Sequence, residues 1–269
     1  YDVIIIGAGP AGYVAAIRCA QLGLKAACVD KWLGKDGQPV LGGTCLNAGC
    51  IPSKALLESS QWYARLQQDA SSHGISVSDV TLDLPKMINS KDAIVRDLTH
   101  GIEALFKSNG VDWLQGSGHL LPDRQVEVTS HNDEQRVLSA GHVILAPGST
   151  PVSLNVAPLN NDTIVDSQGA LDWTEVPSRV GIIGAGVIGL ELGSVWRRLG
   201  SEGVLIEAME DFLCMVDRQI AKQALKSFTD QGLDIHLGAR VVSTAVKNKQ
   251  VTVVYQEKDE EREIKVDRL

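Results

Sequence analysis

Two cysteines, Cys45 and Cys50, stand in the stretch Gly42-Gly43-Thr44-Cys45-Leu46-Asn47-Ala48-Gly49-Cys50-Ile51-Pro52-Ser53-Lys54. Thiols so spaced can ligate a metal or cycle between dithiol and disulfide. A zinc site asks for a second cysteine pair, or for histidines at fixed spacing. Cys19, Cys28 and Cys214 stand alone, and His73, His100, His119, His131, His142 and His236 are scattered singly. No metal is therefore expected, and the histidines read as structural or surface groups. A redox pair is the better chemical reading, with two inert buried thiols beside a turn as the alternative.

The spacing restricts the backbone. Helical positions five apart differ by roughly 7.5 Å in rise and about 140° in direction. A disulfide needs Cα atoms within roughly 4.4–6.8 Å. A bond between Cys45 and Cys50 thus demands a distorted helix start, which Gly49 would ease. Pro52 suits a first helical turn, and a helix follows toward Leu66. A cysteine at such a terminus has its thiolate stabilised by the helix dipole. Lys54, four residues past Cys50, shares its helix face.

Something must stand beside this dithiol, and the first forty residues say what. Asp2-Val3-Ile4-Ile5-Ile6 reads as a buried parallel strand. Gly7-Ala8-Gly9-Pro10-Ala11-Gly12 follows, then a helix from Tyr13 to Leu22, then a strand from Leu24 to Val29 closed by Asp30. This is a βαβ unit carrying a dinucleotide fingerprint. Gly7 makes the tight turn, Gly9 admits a pyrophosphate, and Gly12 lets helix pack on strand. Asp30 would accept hydrogen bonds from a ribose.

The pattern recurs. Val180-Gly181-Ile182-Ile183 is a strand, Gly184-Ala185-Gly186-Val187-Ile188-Gly189 a second fingerprint, Leu190 to Leu199 its helix, and Gly203-Val204-Leu205-Ile206 the next strand, closed by Glu207. Gly184 and Glu207 are twenty-three residues apart, as are Gly7 and Asp30. A carboxylate would repel a 2′-phosphate, and the next base is Arg218, so the second site favours NAD over NADP. Two dinucleotide sites with a dithiol between them in sequence imply an electron path from nicotinamide through flavin to disulfide.

Other segments read as scaffold. Leu84 to Asn109 is a long helix with Asp83 as N-cap and Gly110 as its stop. Its stripe Ile94, Leu98, Ile102, Leu105 and Phe106 is expected to be core. Val111 to Leu114 is a short strand, after which Gly116-Ser117-Gly118 would let backbone pass close to something flat. Val126–Thr129 and Arg136–Leu138 form a hairpin, and His142–Ala146 is a buried strand. Pro151, Pro158 and Pro177 punctuate a linker, Asp217 to Gln231 is a helix, and 233–257 holds short strands. The expected fold is α/β, with two Rossmann-like dinucleotide-binding domains, FAD then NAD, and an inserted β-meander. The domains are expected at 1–150 and 151–269.

The chain has 269 residues, 44% of them hydrophobic, and a net charge of −8. That suits two ordinary cores. No basic cluster points to nucleic acid, no apolar run would span a membrane, and no export signal is visible. Tyr1 opens on a strand, and Lys265 to Leu269 reads as the entrance to another. The chain is expected to be part of a longer polypeptide.

These residues resemble the pyridine nucleotide–disulfide oxidoreductases along the whole chain, and within them the branch that oxidises dihydrolipoamide. The most specific pieces are Gly43 to Lys54 and Gly184-Ala185-Gly186-Val187-Ile188-Gly189-Leu190-Glu191-Leu192-Gly193-Ser194. The resemblance implies an FAD- and NAD-dependent enzyme. Cys45 would be the interchange thiol, Cys50 the thiolate against the flavin, Lys54 the lysine near the flavin, and Glu191 its acidic partner. FAD would meet Gly7, Gly9, Pro10, Ala11, Gly12, Asp30, Lys31, Gly43, Thr44, Cys45, Lys54, Gly118, Gly148 and Ser149. NAD would meet Gly184, Gly186, Val187, Ile188, Gly189, Glu207 and Val241. The implied partners are the lipoyl domain of a 2-oxo-acid dehydrogenase acyltransferase and a second copy of the chain. The second copy would join through a C-terminal domain that supplies a His–Glu acid/base pair and lies outside these residues. The implied compartment is the bacterial cytoplasm, or else the mitochondrial matrix. Three residues depart from the pattern: Pro147 where threonine or serine is usual, Cys214 where proline is common, and Gly203 within a strand.

Overall fold

The computed structural model describes residues 1 to 269. Its contacts divide the chain into two units, Tyr1–Pro52 with Asp92–Thr150, and Ser53–Lys91 with Pro151–Leu269. A division at residue 150 alone would leave 53–91 with the first unit; the packing groups them with the second.

In the first unit the β-branched run becomes β1 (Val3–Ile6), followed by α1 (Pro10–Gln21) and β2 (Ala26–Asp30). Both fingerprint helices start earlier than the apolar pattern suggests, because each N-cap is the middle glycine of its triplet. Next come the short α2 (Gly43–Ala48) and the long α3 (Cys50–Gln68) and α4 (Leu84–Asn109). Then follow β3 (Asp112–Leu120), β4 (Gln125–Ser130), β5 (Gln135–Ser139) and β6 (His142–Leu145). The sheet order is β5-β4-β3-β2-β1-β6. Parallel pairing joins β3, β2, β1 and β6, while β3, β4 and β5 form the antiparallel meander. Alternation along β1 sends Val3 and Ile5 to one core with Ala16, Ile102 and Phe106, and Ile4 to the other with Val29 and Val126.

Two expectations change here. β3 is nine residues long and runs through Gly116-Ser117-Gly118. A Cβ at Gly116 (φ +147) would fall 2.2 Å from the Thr129 carbonyl oxygen, and one at Gly118 would fall 3.2 Å from Ile6 and Val29 side chains. The sheet itself therefore requires Gly116, and packing on Ile6 and Val29 leaves little room at Gly118. The α4 stripe is also only partly core: Ile102 and Phe106 are buried, but Ile94, Leu98 and Leu105 are 41–48% exposed. The buried line runs Thr99–Ile102–Phe106, so the polar Thr99 takes an inward place; its hydroxyl donates to the Arg96 carbonyl.

The second unit repeats the plan. After the four-residue α5 (Ser167–Ala170) come β7 (Arg179–Ile183), α6 (Val187–Arg198), β8 (Glu202–Glu207), α7 (Arg218–Asp230) and β9 (Leu233–Leu237). Strands β7, β8 and β9 form a parallel sheet in that order. Antiparallel strands β10 (Ala239–Lys247), β11 (Gln250–Glu257) and β12 (Glu260–Val266) form a second sheet. Lys265 and Val266 end β12, and beyond them Arg268 bridges Val180 in parallel, with the Gly181 N–H donating to the Arg268 carbonyl at 2.9 Å. The glycine at 203 has a packing reason, since a Cβ there would lie 2.7 Å from Leu233 Cδ2.

Residues 53–91 join this unit because Leu56, Leu84 and Ile88 are buried with Val195, Trp196 and Leu199. Lys91 is buried beside them; its ammonium donates to the Leu171 carbonyl at 3.0 Å and pairs with Asp172.

Candidate functional site

The helix that carries Cys45 starts on the first fingerprint. Gly42 and Gly43 are both left-handed, at φ +107 and +58. The Gly42 N–H donates to the Ala8 carbonyl at 3.0 Å. A Cβ at Gly43 would fall 2.6 Å from Gly9 Cα, so Gly43 tolerates no side chain there. Asn47, which the motif reading passed over, ties the turn by donating Nδ2 to the Leu41 and Gly43 carbonyls, each at 3.0 Å.

Cys45 is half-buried in α2, and Cys50 opens α3 in an exposed position. Between them Gly49 breaks the helix at φ −142 and ψ −113. A Cβ at Gly49 would lie 3.4 Å from Cys45 Cα. The residue before Cys50 is therefore folded back against Cys45, the interruption that the spacing demands. Cys28 is a different kind of thiol. It is buried in β2, donates to the Gly7 carbonyl at 3.5 Å, and has its pKa pushed up by burial and then by the Asp30 charge. It remains protonated and inert.

The two fingerprints match in detail. A Cβ at Gly12 would fall 1.7 Å from the Gly7 carbonyl oxygen, and one at Gly189 would fall 2.3 Å from that of Gly184. Close helix-on-strand packing thus fixes the last glycine of each. Gly7, at φ +103, would put a Cβ 2.0 Å from the Ala146 oxygen, which brings the Pro147-Gly148-Ser149 turn beside β1. The acids at the ends of β2 and β8 act alike. Asp30 accepts the N–H groups of Ala8 and Trp32, at 2.5 and 2.7 Å. Glu207 accepts those of Ala185 and Met209, at 2.8 and 2.9 Å. Each acid latches its glycine turn and keeps lone pairs for a further donor.

Helix capping separates these sites from the scaffold. Asp217 caps α7 by accepting from Gln219 and Ile220, and Asp166 caps α5. The N-caps of α1 and α6 are Gly9 and Gly186, with no side-chain cap bond. The first turns of α1 and α6 thus present N–H groups without a side-chain cap, the arrangement that binds phosphate. Around the second, a Cβ at Gly184 or Gly186 meets nothing within 4 Å, and Val187 and Ile188 are about 60% exposed. A cavity of about 560 Å³ borders Gly184 and Gly186–Gly189. A pyrophosphate fits the second position, and the first repeats its backbone plan.

In the second unit Lys54 forms an ion pair with Glu191 Oε1. Ser53, buried and not singled out by the motif, donates its hydroxyl to Glu191 Oε2 at 3.2 Å. Only the serine's place beside Lys54 could have signalled it. Val241 is half-buried at a bulge in β10; nearby, the Gly238 N–H reaches the carbonyl of Met209, just past Glu207. Lys31 and Thr44 are exposed. His236 lies between Asp234 and Glu257, at 3.1 and 3.4 Å. No group of three His, Cys, Asp or Glu residues could hold a metal, and no helix is long and apolar enough to cross a membrane.

Comparison with known proteins agrees with this geometry. Residues 1–269 match the pyridine nucleotide-disulphide oxidoreductase family, and the chain belongs to it. It is 46% identical over 272 residues to a dihydrolipoyl dehydrogenase of Cupriavidus necator, covering all of this chain and 57% of that protein. It is 46% identical over 241 residues to the mitochondrial dihydrolipoyl dehydrogenase 2 of Arabidopsis thaliana, covering 90% and 46% respectively. The chain thus spans about half the length of these relatives. Among solved structures, the HOCl-induced flavoprotein disulfide reductase of Escherichia coli superposes with a TM-score of 0.78 at 26% identity, over all of this chain and 55% of that one. LpdA of Mycobacterium tuberculosis superposes at 0.87 and 22% identity, covering 100% and 57%, which speaks to the fold alone. The family and its dihydrolipoyl dehydrogenases use FAD and NAD(H).

Proposed function

We propose that the intact protein is a dihydrolipoyl dehydrogenase, which oxidises protein-bound dihydrolipoamide to lipoamide with NAD as acceptor through FAD and a Cys45–Cys50 disulfide. The observation that carries this reading is the approach of Gly43 to Gly9. It roots the Cys45 helix on the turn that would hold the FAD pyrophosphate. Residues 1–150 would bind FAD and 151–269 NAD, with 53–91 packed in the latter unit. The first turn of α1 and Asp30 would hold FAD, helped by Lys31, Thr44, Gly118, Gly148 and Ser149. The first turn of α6, Glu207 and Val241 would hold NAD.

When bound, FAD would supply the two-electron relay between the dithiol and NAD. The chain supplies the thiol chemistry. A dihydrolipoyl thiolate attacks the Cys45 sulfur, and the Cys45–Cys50 bond breaks, leaving Cys50 as thiolate. The second lipoyl thiol then displaces Cys45 and closes the lipoyl disulfide. Cys50 opens α3, where the helix N-terminus would face the leaving sulfur, and Lys54 follows one turn on. Glu191 anchors that cation.

Turnover of dihydrolipoamide with NAD by the FAD-loaded, full-length protein is the test. Activity with glutathione disulfide or mercuric ion but not lipoamide would assign it to a sister enzyme. Failure to bind flavin would leave a non-catalytic nucleotide-binding module. Residues 1–269 alone should not turn over, because no histidine here is assigned the acid/base role. The proposed partners are the lipoyl domain of an acyltransferase and a second copy of the protein. Bacterial and mitochondrial relatives support the bacterial cytoplasm or the mitochondrial matrix, the former preferred.

A further inference from the structure

Glu191 has two carboxylate oxygens and two different partners for them. Oε1 meets the Lys54 ammonium, and Oε2 accepts from the Ser53 hydroxyl at 3.2 Å. The exposures differ sharply. The Lys54 side chain is 59% exposed and that of Glu191 24%, whereas Ser53 is 7% exposed. The ion pair alone is a weak restraint, because a flexible lysine reaching into water retains many rotamers. Ser53 has one short side chain on a fixed helix backbone. Its neighbour Leu56, three residues on, is clamped against α6 in the core that holds Val195 and Trp196. At the far end of the same helix contact, the Arg198 guanidinium donates to the Leu57 carbonyl at 3.5 Å.

We infer that Ser53 is a positioning residue: it orients the Glu191 carboxylate, and through it the Lys54 ammonium, for the thiol–flavin chemistry of Cys50. Ser53 touches no reacting atom in this scheme. It fixes the plane of the Glu191 carboxylate against the lysine. Without the hydroxyl the carboxylate can rotate about its last bond and the ammonium follows it. A hydrogen bond to a charged group at this exposure changes the ratio of aligned to rotated carboxylate by about fivefold or more. The inference rests on the proposed flavoenzyme reading, and the experiment separates the two.

The test uses the full-length protein as wild type, Ser53→Ala, Glu191→Ala and the double variant. Urea unfolding of all four, without flavin, measures the coupling between the two side chains. Reduction of the FAD-loaded proteins by a dithiol measures the long-wavelength thiolate-to-flavin absorbance. Ser53→Ala should lower the ratio of band-bearing to bandless reduced protein about fivefold, and should add nothing once Glu191 is alanine. The unfolding effects should be non-additive in the same pair. A band of wild-type strength in Ser53→Ala overturns the inference. So does an equal loss in both backgrounds, which would mark Ser53 as packing only. A wild-type protein that shows no band refutes the flavin reading, and this role for Ser53 with it, even if the unfolding cycle still reports the hydrogen bond.

Discussion

Gly186→Ala and Gly189→Ala change the same fingerprint by the same methyl group, three residues apart, and should fail in opposite ways. At Gly189 the added Cβ would lie 2.3 Å from the Gly184 carbonyl oxygen and 3.1 Å from Ile182 Cγ2. Both the oxygen and the helix are backbone, so α6 must lift from β7. Overpacking of this kind costs about 3 kcal/mol or more. That lowers the melting temperature by roughly 6–12 °C for a domain of this size. At Gly186 the methyl meets nothing within 4 Å. Replacing an N-cap glycine by alanine costs only about 0.5–1 kcal/mol. Yet that methyl stands where first-turn N–H groups face an incoming pyrophosphate, so NAD affinity should fall at least tenfold. Urea unfolding and NAD titration on the full-length protein separate the two effects. Equal stability losses in the two variants, or wild-type NAD affinity in Gly186→Ala, would refute the reasoning.

Further predictions concern charge and burial. Glu207→Gln should narrow NAD-over-NADP discrimination by at least tenfold, since like-charge juxtaposition costs several kcal/mol; paired titrations with the two nucleotides measure it. Asp172→Ala should destabilise by about 3 kcal/mol, because it takes an acidic partner from the buried Lys91 ammonium. Lys91→Met should cost less, because Asp172 is 36% exposed and can turn to water; denaturant unfolding checks this order. Burial raises the Cys28 pKa in the folded state, so the folded protein holds that proton above the unfolded value of about 8.5 while the unfolded chain loses it. Stability should therefore fall as pH rises above about 9, and Cys28→Ala should flatten that fall in unfolding curves between pH 8 and 10. An unchanged alkaline slope would count against it.

Local chemistry made much of this architecture legible in advance. Val3–Ile6, Val180–Ile183 and the two glycine triplets announced two βαβ units, because tight turns and buried parallel strands leave few alternatives. Asp83 and Gly110 bounded α4, since caps are satisfied locally. What escaped notice depended on distant partners. Thr99 turns inward while Ile94 and Leu98 face outward, which only packing decides. Residues 53–91 join the later unit through Leu56 and Ile88, and periodicity cannot name a helix's partner. In the candidate site, Lys54 and Glu191 were found by motif, but Ser53 and Asn47 were not. Their roles come from hydrogen bonds to a residue 138 positions away and to a left-handed turn.

The latch formed by Asp30 and Glu207 has a consequence for ligand discrimination. Under the proposed reading, the carboxylate that greets the sugar also braces the loop that greets the phosphates. Sugar and phosphate recognition are then one mechanical event. A nucleotide with a mismatched sugar would disturb the grip on its own diphosphate, and the chain would reject it twice through a single side chain.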